Sequence, residues 1–183
     1  MGQSAPAVGK ESRPLASLGE NLFSSFLLPF AKGGDCVEII RAEQGSPLWD
    51  RLISYAACCS WKEPGQHLAQ LLRENRLEGW ESVFAALEEG QIVGFCTLLK
   101  TDYYPENRYF PWISTTFVEE PFRGRRISHR MIEAAAAYAK SVGFARVYIP
   151  SDMTCFYEKC GFQKIDELEN YGGDRDNIFA KEI

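Results

Sequence analysis

Val118-Glu119-Glu120-Pro121-Phe122-Arg123-Gly124-Arg125-Arg126-Ile127-Ser128 carries a strand end, a short loop and a helix start within a few residues. Working upstream, Phe110 to Val118 reads as a strand, with Pro111 tolerated only near a strand end or edge. Downstream, Arg125 to Val142 reads as a helix whose stripe is Ile127, Met131, Ala135, Tyr138 and Val142, with Arg130, Glu133 and Lys140 outside it. Gly143 suits the position just past its end. Val147-Tyr148-Ile149 makes the next strand. A strand–helix–strand crossover over 110–149 implies a parallel pair inside a mixed sheet.

The loop itself has a chemical reading. The first turn of a helix leaves backbone N–H groups without intrahelical partners, and the macrodipole adds positive potential there. Between positions 119 and 130 stand four arginines (Arg123, Arg125, Arg126, Arg130) against Glu119 and Glu120, in a chain of net charge −5. Phosphate oxygens suit such a place. A solvated basic helix start without a ligand is the plain alternative, and this segment alone does not separate the two.

Outward from this centre the pattern stays α/β. Cys36 to Ile40 reads as a first strand of a folded region over 36–183. Helices are expected at 47–59 and 64–76, with Pro47 and Pro64 in their first turns and Leu68, Leu71 and Leu72 on a core face. Val83 to Leu87 and Ile92 to Leu99 flank Glu89-Gly90-Gln91, a hairpin signal. Two closing strands lie near 162–169 and 177–182, joined by the turn Tyr171-Gly172-Gly173-Asp174. Residues 1–35 read as a flexible tail, rich in Ser, Pro, Ala and Gly to about position 20, in which Leu22 to Phe30 suits an accessory helix docked on the domain.

The segment Ser151-Asp152-Met153-Thr154-Cys155-Phe156-Tyr157-Glu158-Lys159-Cys160-Gly161-Phe162 follows the crossover strand, and Asp152 can cap a short helix there. A phosphate-loop helix, a strand and then FYEKCGF together resemble the GNAT superfamily of N-acetyltransferases, in motif over about 80–171 and in element order over most of 36–183. The family's phosphate signature is Gln/Arg-x-x-Gly-x-Gly/Ala. Arg123 fills its first position, while Arg126 and Ser128 replace the two small residues. The resemblance implies a mixed, mostly antiparallel sheet with a splayed parallel pair and helices on both faces. It implies acetyl-CoA as cosubstrate, with pantetheine along Phe117 and Val118 and the pyrophosphate over Arg123, Gly124, Arg125, Arg126, Ile127, Ser128 and His129.

Tyr157 matches the family's tyrosine near the thioester sulfur, thought to protonate the departing thiolate; a half-buried aromatic covering the helix–sheet seam is its plainer reading. A thiol leaving group with a pKa of about 8.5 gains only modestly from that proton. The base that deprotonates the amine is not determined: the family often uses a Glu or Asp, or a water relay, and Asp102 and Glu119 are candidate groups that also suit plain solvated surface acids. Asp102, Tyr103 and Tyr104 are the expected substrate-side residues, within an aromatic wall that adds Tyr109, Phe110 and Trp112. The expected reaction is acetylation of a primary amine of a small molecule. A non-catalytic acyl-CoA-binding module is the alternative from another class, and a protein-modifying enzyme is a third reading.

Composition excludes several other classes. A chain of 183 residues with 45% hydrophobic and 25% charged residues suits one soluble domain. Its acidic balance argues against nucleic acid and anionic membrane as partners. Cys36, Cys58, Cys59, Cys96, Cys155 and Cys160 lack paired zinc spacings, and His67 and His129 are far apart, so no metal is expected. Reduced thiols in a cytoplasm fit this usage, with Cys155 and Cys160 read as packing groups. No run reaches the ~20 apolar residues of a membrane span. A homodimer stays open as an assembly.

Overall fold

Glu89 and Gly90 both adopt positive φ, 49° and 76°. This is the turn geometry whose twist matches two antiparallel strands, and it joins β2 (Ser82–Glu88) to β3 (Gln91–Leu99). The computed structural model describes residues 37–153 and 155–183; the expected tail, Cys36 and the Leu22–Phe30 helix lie outside them. The chain order is β1 (Val37–Ala42), α1 (Pro47–Cys58), α2 (Lys62–Arg73), β2, β3, β4 (Trp112–Val118), α3 (Ile127–Ser141), β5 (Arg146–Ser151), β6 (Gln163–Glu169) and β7 (Arg175–Glu182).

The seven strands form one sheet in the order β1-β2-β3-β4-β5-β7-β6. Every neighbouring pair is antiparallel except β4 and β5. On one face α3 lays Ile127, Met131, Ile132, Ala135, Ala136 and Ala139 against Phe84, Cys96, Ile113, Val147 and Ile149. On the other, α1 and α2 pack Trp49, Leu52, Ala56, Leu68, Ala69 and Leu72 against Val83, Ala85, Phe95 and Phe117. Burying a large aliphatic side chain contributes about 1.5–3 kcal/mol, so these two layers fix the helices to the sheet. A third cluster of Tyr104, Trp112, Leu168 and Ile178, flanked by Tyr109 and Tyr148, is covered by the β3–β4 connection rather than by a helix.

Three local expectations change. Asp152 caps no helix: the Met153 N–H donates to Ser151 Oγ instead (3.0 Å), and only a single 3-10 turn follows at Glu158–Cys160. The long helix starts at Ile127 rather than Arg125, because Arg126 takes a left-handed conformation (φ 57°, ψ 23°) that cannot continue into a right-handed helix. Its stripe also stops earlier, since Val142 is exposed. The thiols split as well: Cys160 is buried, whereas Cys155 is exposed and packs little.

α1 and α2 approach closely at Gly65. An added Cβ there would lie 2.4 Å from the Ala56 carbonyl oxygen and 2.4 Å from Cys59 Sγ. Gly65→Ala is expected to destabilise the fold by about 1–3 kcal/mol, lowering Tm by roughly 2–4 °C per kcal/mol, measurable by differential scanning calorimetry.

Candidate active site

β4 and β5 meet at one register position, Trp112 opposite Tyr148, supported by the Tyr148 N–H donating to the Pro111 carbonyl (3.0 Å). Beyond that point the strands part. β5 remains paired on its other side with β7, from Arg146 opposite Glu182 to Ser151 opposite Asn177. β4 stays on β3, with Gly94 opposite Val118 and the Glu119 N–H donating to the Val93 carbonyl (3.0 Å). A Cβ on Gly94 would lie 2.5 Å from the Phe117 carbonyl oxygen, so glycine permits this close approach. β4 also bulges: Phe95 faces Phe117 but Thr97 faces Ser114, leaving Thr115 and Thr116 opposite Cys96 alone, with Thr115 at φ 47°. The result is a wedge between β4 and β5, narrow at Trp112 and open at Val118 and Ser151.

The loop at the open end has two left-handed residues, Gly124 (φ 78°) and Arg126 (φ 57°). Arg126 is the N-cap of α3, and no side chain caps the helix. The first intrahelical bond is from the Arg130 N–H to the Arg126 carbonyl (3.1 Å), so the N–H groups of Ile127, Ser128 and His129 precede the ladder. A left-handed residue followed by a helical one turns successive N–H groups toward one concavity, which suits an anion.

The arginines do not act alike. Arg125 pairs in a fork with Glu88 (2.9 and 2.5 Å). Arg130 donates to the Val37 carbonyl. Arg123 donates its Nε to the Val118 carbonyl (2.9 Å), bracing the strand end. Arg126 is exposed and has no side-chain partner among the described residues. His129 is near Glu133 (4.0 Å), which Lys181 also engages (2.6 Å).

Tyr157 is only 8% exposed, with Phe179, Phe162 and Phe156 around its ring at 5.5, 6.1 and 5.0 Å between centroids. Burial raises the pKa of its phenol, with the charges of Cys160, Asp152 and Cys96 adding to this and a Ser151 hydrogen bond opposing it. The group therefore keeps its proton through neutral pH. It belongs to the core on the α3 side of the sheet, in the cluster that also holds Cys96.

The expected substrate residues divide. Tyr104 is buried, stacked on Trp112 (5.6 Å), and donates to Asp176 Oδ2 (2.8 Å), so it forms part of the wall's interior. Tyr103 is 59% exposed and meets Tyr171 edge-on at 5.4 Å, joining the β3–β4 connection to the β6–β7 turn. Asp102 accepts a hydrogen bond from Ser114 Oγ and another from the Tyr103 N–H (2.6 Å). Glu119 accepts from Ser60 Oγ (2.9 Å) and the Ser60 N–H (3.4 Å), tying the α1–α2 connection to the end of β4. Nothing in the sequence pattern marks two further neighbours. Trp61 stacks on Phe117 (6.1 Å), and Tyr55 buries a hydroxyl that lacks a hydrogen-bond partner among the described residues. Burial first, then the Glu119 charge, holds the proton on Tyr55.

Residues 48–162 match the acetyltransferase (GNAT) family, and the chain belongs to it. No curated protein matches the sequence. Among solved structures, an aminoglycoside 6′-acetyltransferase type Ii is similar over 79% of this chain and 96% of its own, at TM-score 0.61 and 21% identity. The aminoglycoside 6′-N-acetyltransferase of Enterococcus faecium gives the same coverage at TM-score 0.62 and 18% identity. A GNAT acetyltransferase of Elizabethkingia anophelis with acetyl-CoA bound covers 82% of this chain and 100% of its own, at TM-score 0.55 and 16% identity. These likenesses establish the fold. Among the described residues no helix is long and apolar enough to cross a membrane, and no group of three or more His, Cys, Asp or Glu could hold a metal.

Arg126 stands where the family's signature has glycine, and its backbone keeps the left-handed geometry that glycine adopts without strain. Arg126→Gly is expected to stabilise the protein by about 0.5–1 kcal/mol, the relief of left-handed strain less the added entropy of the unfolded chain. Urea unfolding of the two proteins measures it.

Proposed function

We propose that this protein transfers the acetyl group of acetyl-CoA to a primary amine of a small molecule, in the cytoplasm. The observation that carries the reading is the wedge between β4 and β5, which leaves strand edges facing one another with a phosphate-compatible loop at the open end. An extended amide-bearing arm matches such edges as a strand would. The residues fit it: Phe117 and Val118 border the arm, while Arg123, Gly124, Arg126 and the N–H groups of Ile127, Ser128 and His129 receive the pyrophosphate. Arg125 contributes its backbone, since its guanidinium is engaged by Glu88. The acetyltransferases named above, two of them aminoglycoside enzymes, support amine acetylation as the reaction class.

Catalysis in this reading rests mainly on positioning, with Tyr157 donating a proton to the departing sulfur. Burial keeps the phenol protonated at neutral pH, so Tyr157 holds the proton it would donate. Thiol release from acetyl-CoA across a panel of small amines tests the activity. Acetyl-CoA binding without turnover of any amine would instead favour the binding module.

Two sets of variants probe the parts. Arg123→Ala and Arg126→Glu are expected to weaken CoA binding by about 1.5–3 kcal/mol apiece, the scale of charge-assisted hydrogen bonds, as read by calorimetry. Unchanged affinity in both would remove the phosphate site. Tyr157→Phe should leave CoA affinity and folding near wild type while the single-turnover rate falls about 10²-fold, the low end for general acid catalysis. A wild-type rate would remove Tyr157 from the chemistry.

A further inference from the structure

We propose that Ser114 and Asp102 form the proton-accepting pair for the acceptor amine, with Ser114 Oγ touching the nitrogen and Asp102 holding the proton. The inference rests on the acetyl-CoA reading of the wedge. If the pyrophosphate lies at 124–128 and the arm runs back along β4, the acyl end lies toward the narrow end of the wedge. There β4 bulges at Thr115 and Thr116, immediately after Ser114. Tyr157 lies on the α3 side of the sheet, in the same buried cluster as Cys96, the residue opposite the bulge. Side chains alternate along a strand, so Ser114 shares its face with Trp112, on the side opposite Ile113. Trp112 packs in the cluster beneath the β3–β4 connection and Ile113 packs with α3. Acid and base thus flank the thioester from opposite faces of the sheet.

The pair is built for this. Ser114 is buried (7% exposed), and its hydroxyl donates to Asp102 Oδ2. The Tyr103 N–H fixes the other carboxylate oxygen, Oδ1. The groups facing Asp102 are Ser114 from β4, Asp176 from β7, and Tyr104 and the Tyr103 amide from its own connection. Burial raises the pKa of Asp102 above the ordinary carboxylate range, and the Asp176 charge adds to this; the Ser114 and Tyr103 hydrogen bonds oppose it. A raised pKa makes a carboxylate a better proton acceptor, active at pH values above that pKa. Glu119, at the open end of the wedge, is engaged by Ser60.

The proton balance is direct. An N–H proton of the acceptor ammonium passes to Ser114 Oγ as the Ser114 hydroxyl proton passes to Asp102 Oδ2. The freed nitrogen lone pair forms the C–N bond, the C–S bond breaks, and the sulfur takes a proton from Tyr157. The nitrogen's second proton leaves to water, and solvent restores Asp102 and Tyr157 to their starting forms.

The test uses full-length wild type, Asp102→Asn and Ser114→Ala, with calorimetric CoA affinity and pH profiles of kcat/KM on the best amine of the panel. Both variants should bind CoA within about twofold of wild type. Asp102→Asn should lose about 10²–10³-fold in kcat/KM, within the range of general base catalysis, together with the acid limb of the profile. Ser114→Ala should lose at least tenfold in kcat/KM, and Asp102→Glu should recover part of the Asn variant's loss. Wild-type kcat/KM with an unchanged acid limb in Asp102→Asn overturns the pair while leaving the acetyltransferase reading intact. Absence of acetyl-CoA binding by wild type overturns both. Should Asp102→Asn fail to fold, Ser114→Ala decides: a wild-type rate overturns the pair and a loss of tenfold or more at unchanged CoA affinity supports it.

Discussion

The site depends on a parallel strand pair held at one end only. Trp112 is fully buried and packs with Tyr104, Tyr109 and Tyr148, and it marks the single register position between β4 and β5. Above it each strand is drawn to its outer neighbour, β4 by the close approach at Gly94 and β5 by the pairing of Ile149, Pro150 and Ser151 with β7. Backbone N–H and C=O groups require partners, and strand edges that face a gap present them in a row. The same packing that closes the foot of the wedge therefore leaves two strand edges parted at its top, the feature on which the proposed acetyl-CoA site rests.

Electrostatics divides the loop's arginines by task. The chain is acidic overall, so attraction of a polyanion depends on local charge and backbone N–H groups. Arg125 and Arg130 hold the start of α3 to Glu88 at the end of β2 and to the Val37 carbonyl of β1. Arg123 holds the end of β4. Arg126 is exposed with no side-chain partner among the described residues, on a left-handed backbone that costs about 1–2 kcal/mol for a residue with a Cβ. That cost is understandable if the residue gains a phosphate contact, since glycine would give the same loop geometry without strain.

The fold was legible because its signals were periodic or punctuated. The stripe on α3, the Glu89-Gly90 turn and the crossover over 110–149 each follow from local backbone rules, and all three stand in the structure except for Val142 at the end of the stripe, which is exposed. What escaped depended on contacts between distant segments. Asp152 looked like a cap because its type suits one, yet Ser151 takes the Met153 N–H. Tyr104 looked available because it neighbours Tyr103, but stacking on Trp112 and the bond to Asp176 bury it. The division of the four arginines was likewise invisible, since Glu88 and Val37 are remote in sequence. Neither the pairing of Asp102 with Ser114 nor the stacking of Trp61 on Phe117 has a sequence spacing that announces it.

The two connections that border the wedge on the α1–α2 side carry different chemistry. From one side the α1–α2 connection brings Trp61 onto Phe117 and Ser60 onto Glu119, an apolar surface pinned by a carboxylate. From the other, the β3–β4 connection brings Asp102, with Tyr103 leaning on Tyr171 of the β6–β7 turn. On the proposed geometry the acceptor passes between them, so its amine meets a buried carboxylate while its body meets exposed aromatic rings. A cation is favoured by both features. Tyr104 and Trp112 lock the floor of the β3–β4 connection, whereas Tyr103 and Tyr171 lie outside the sheet's core and are exposed.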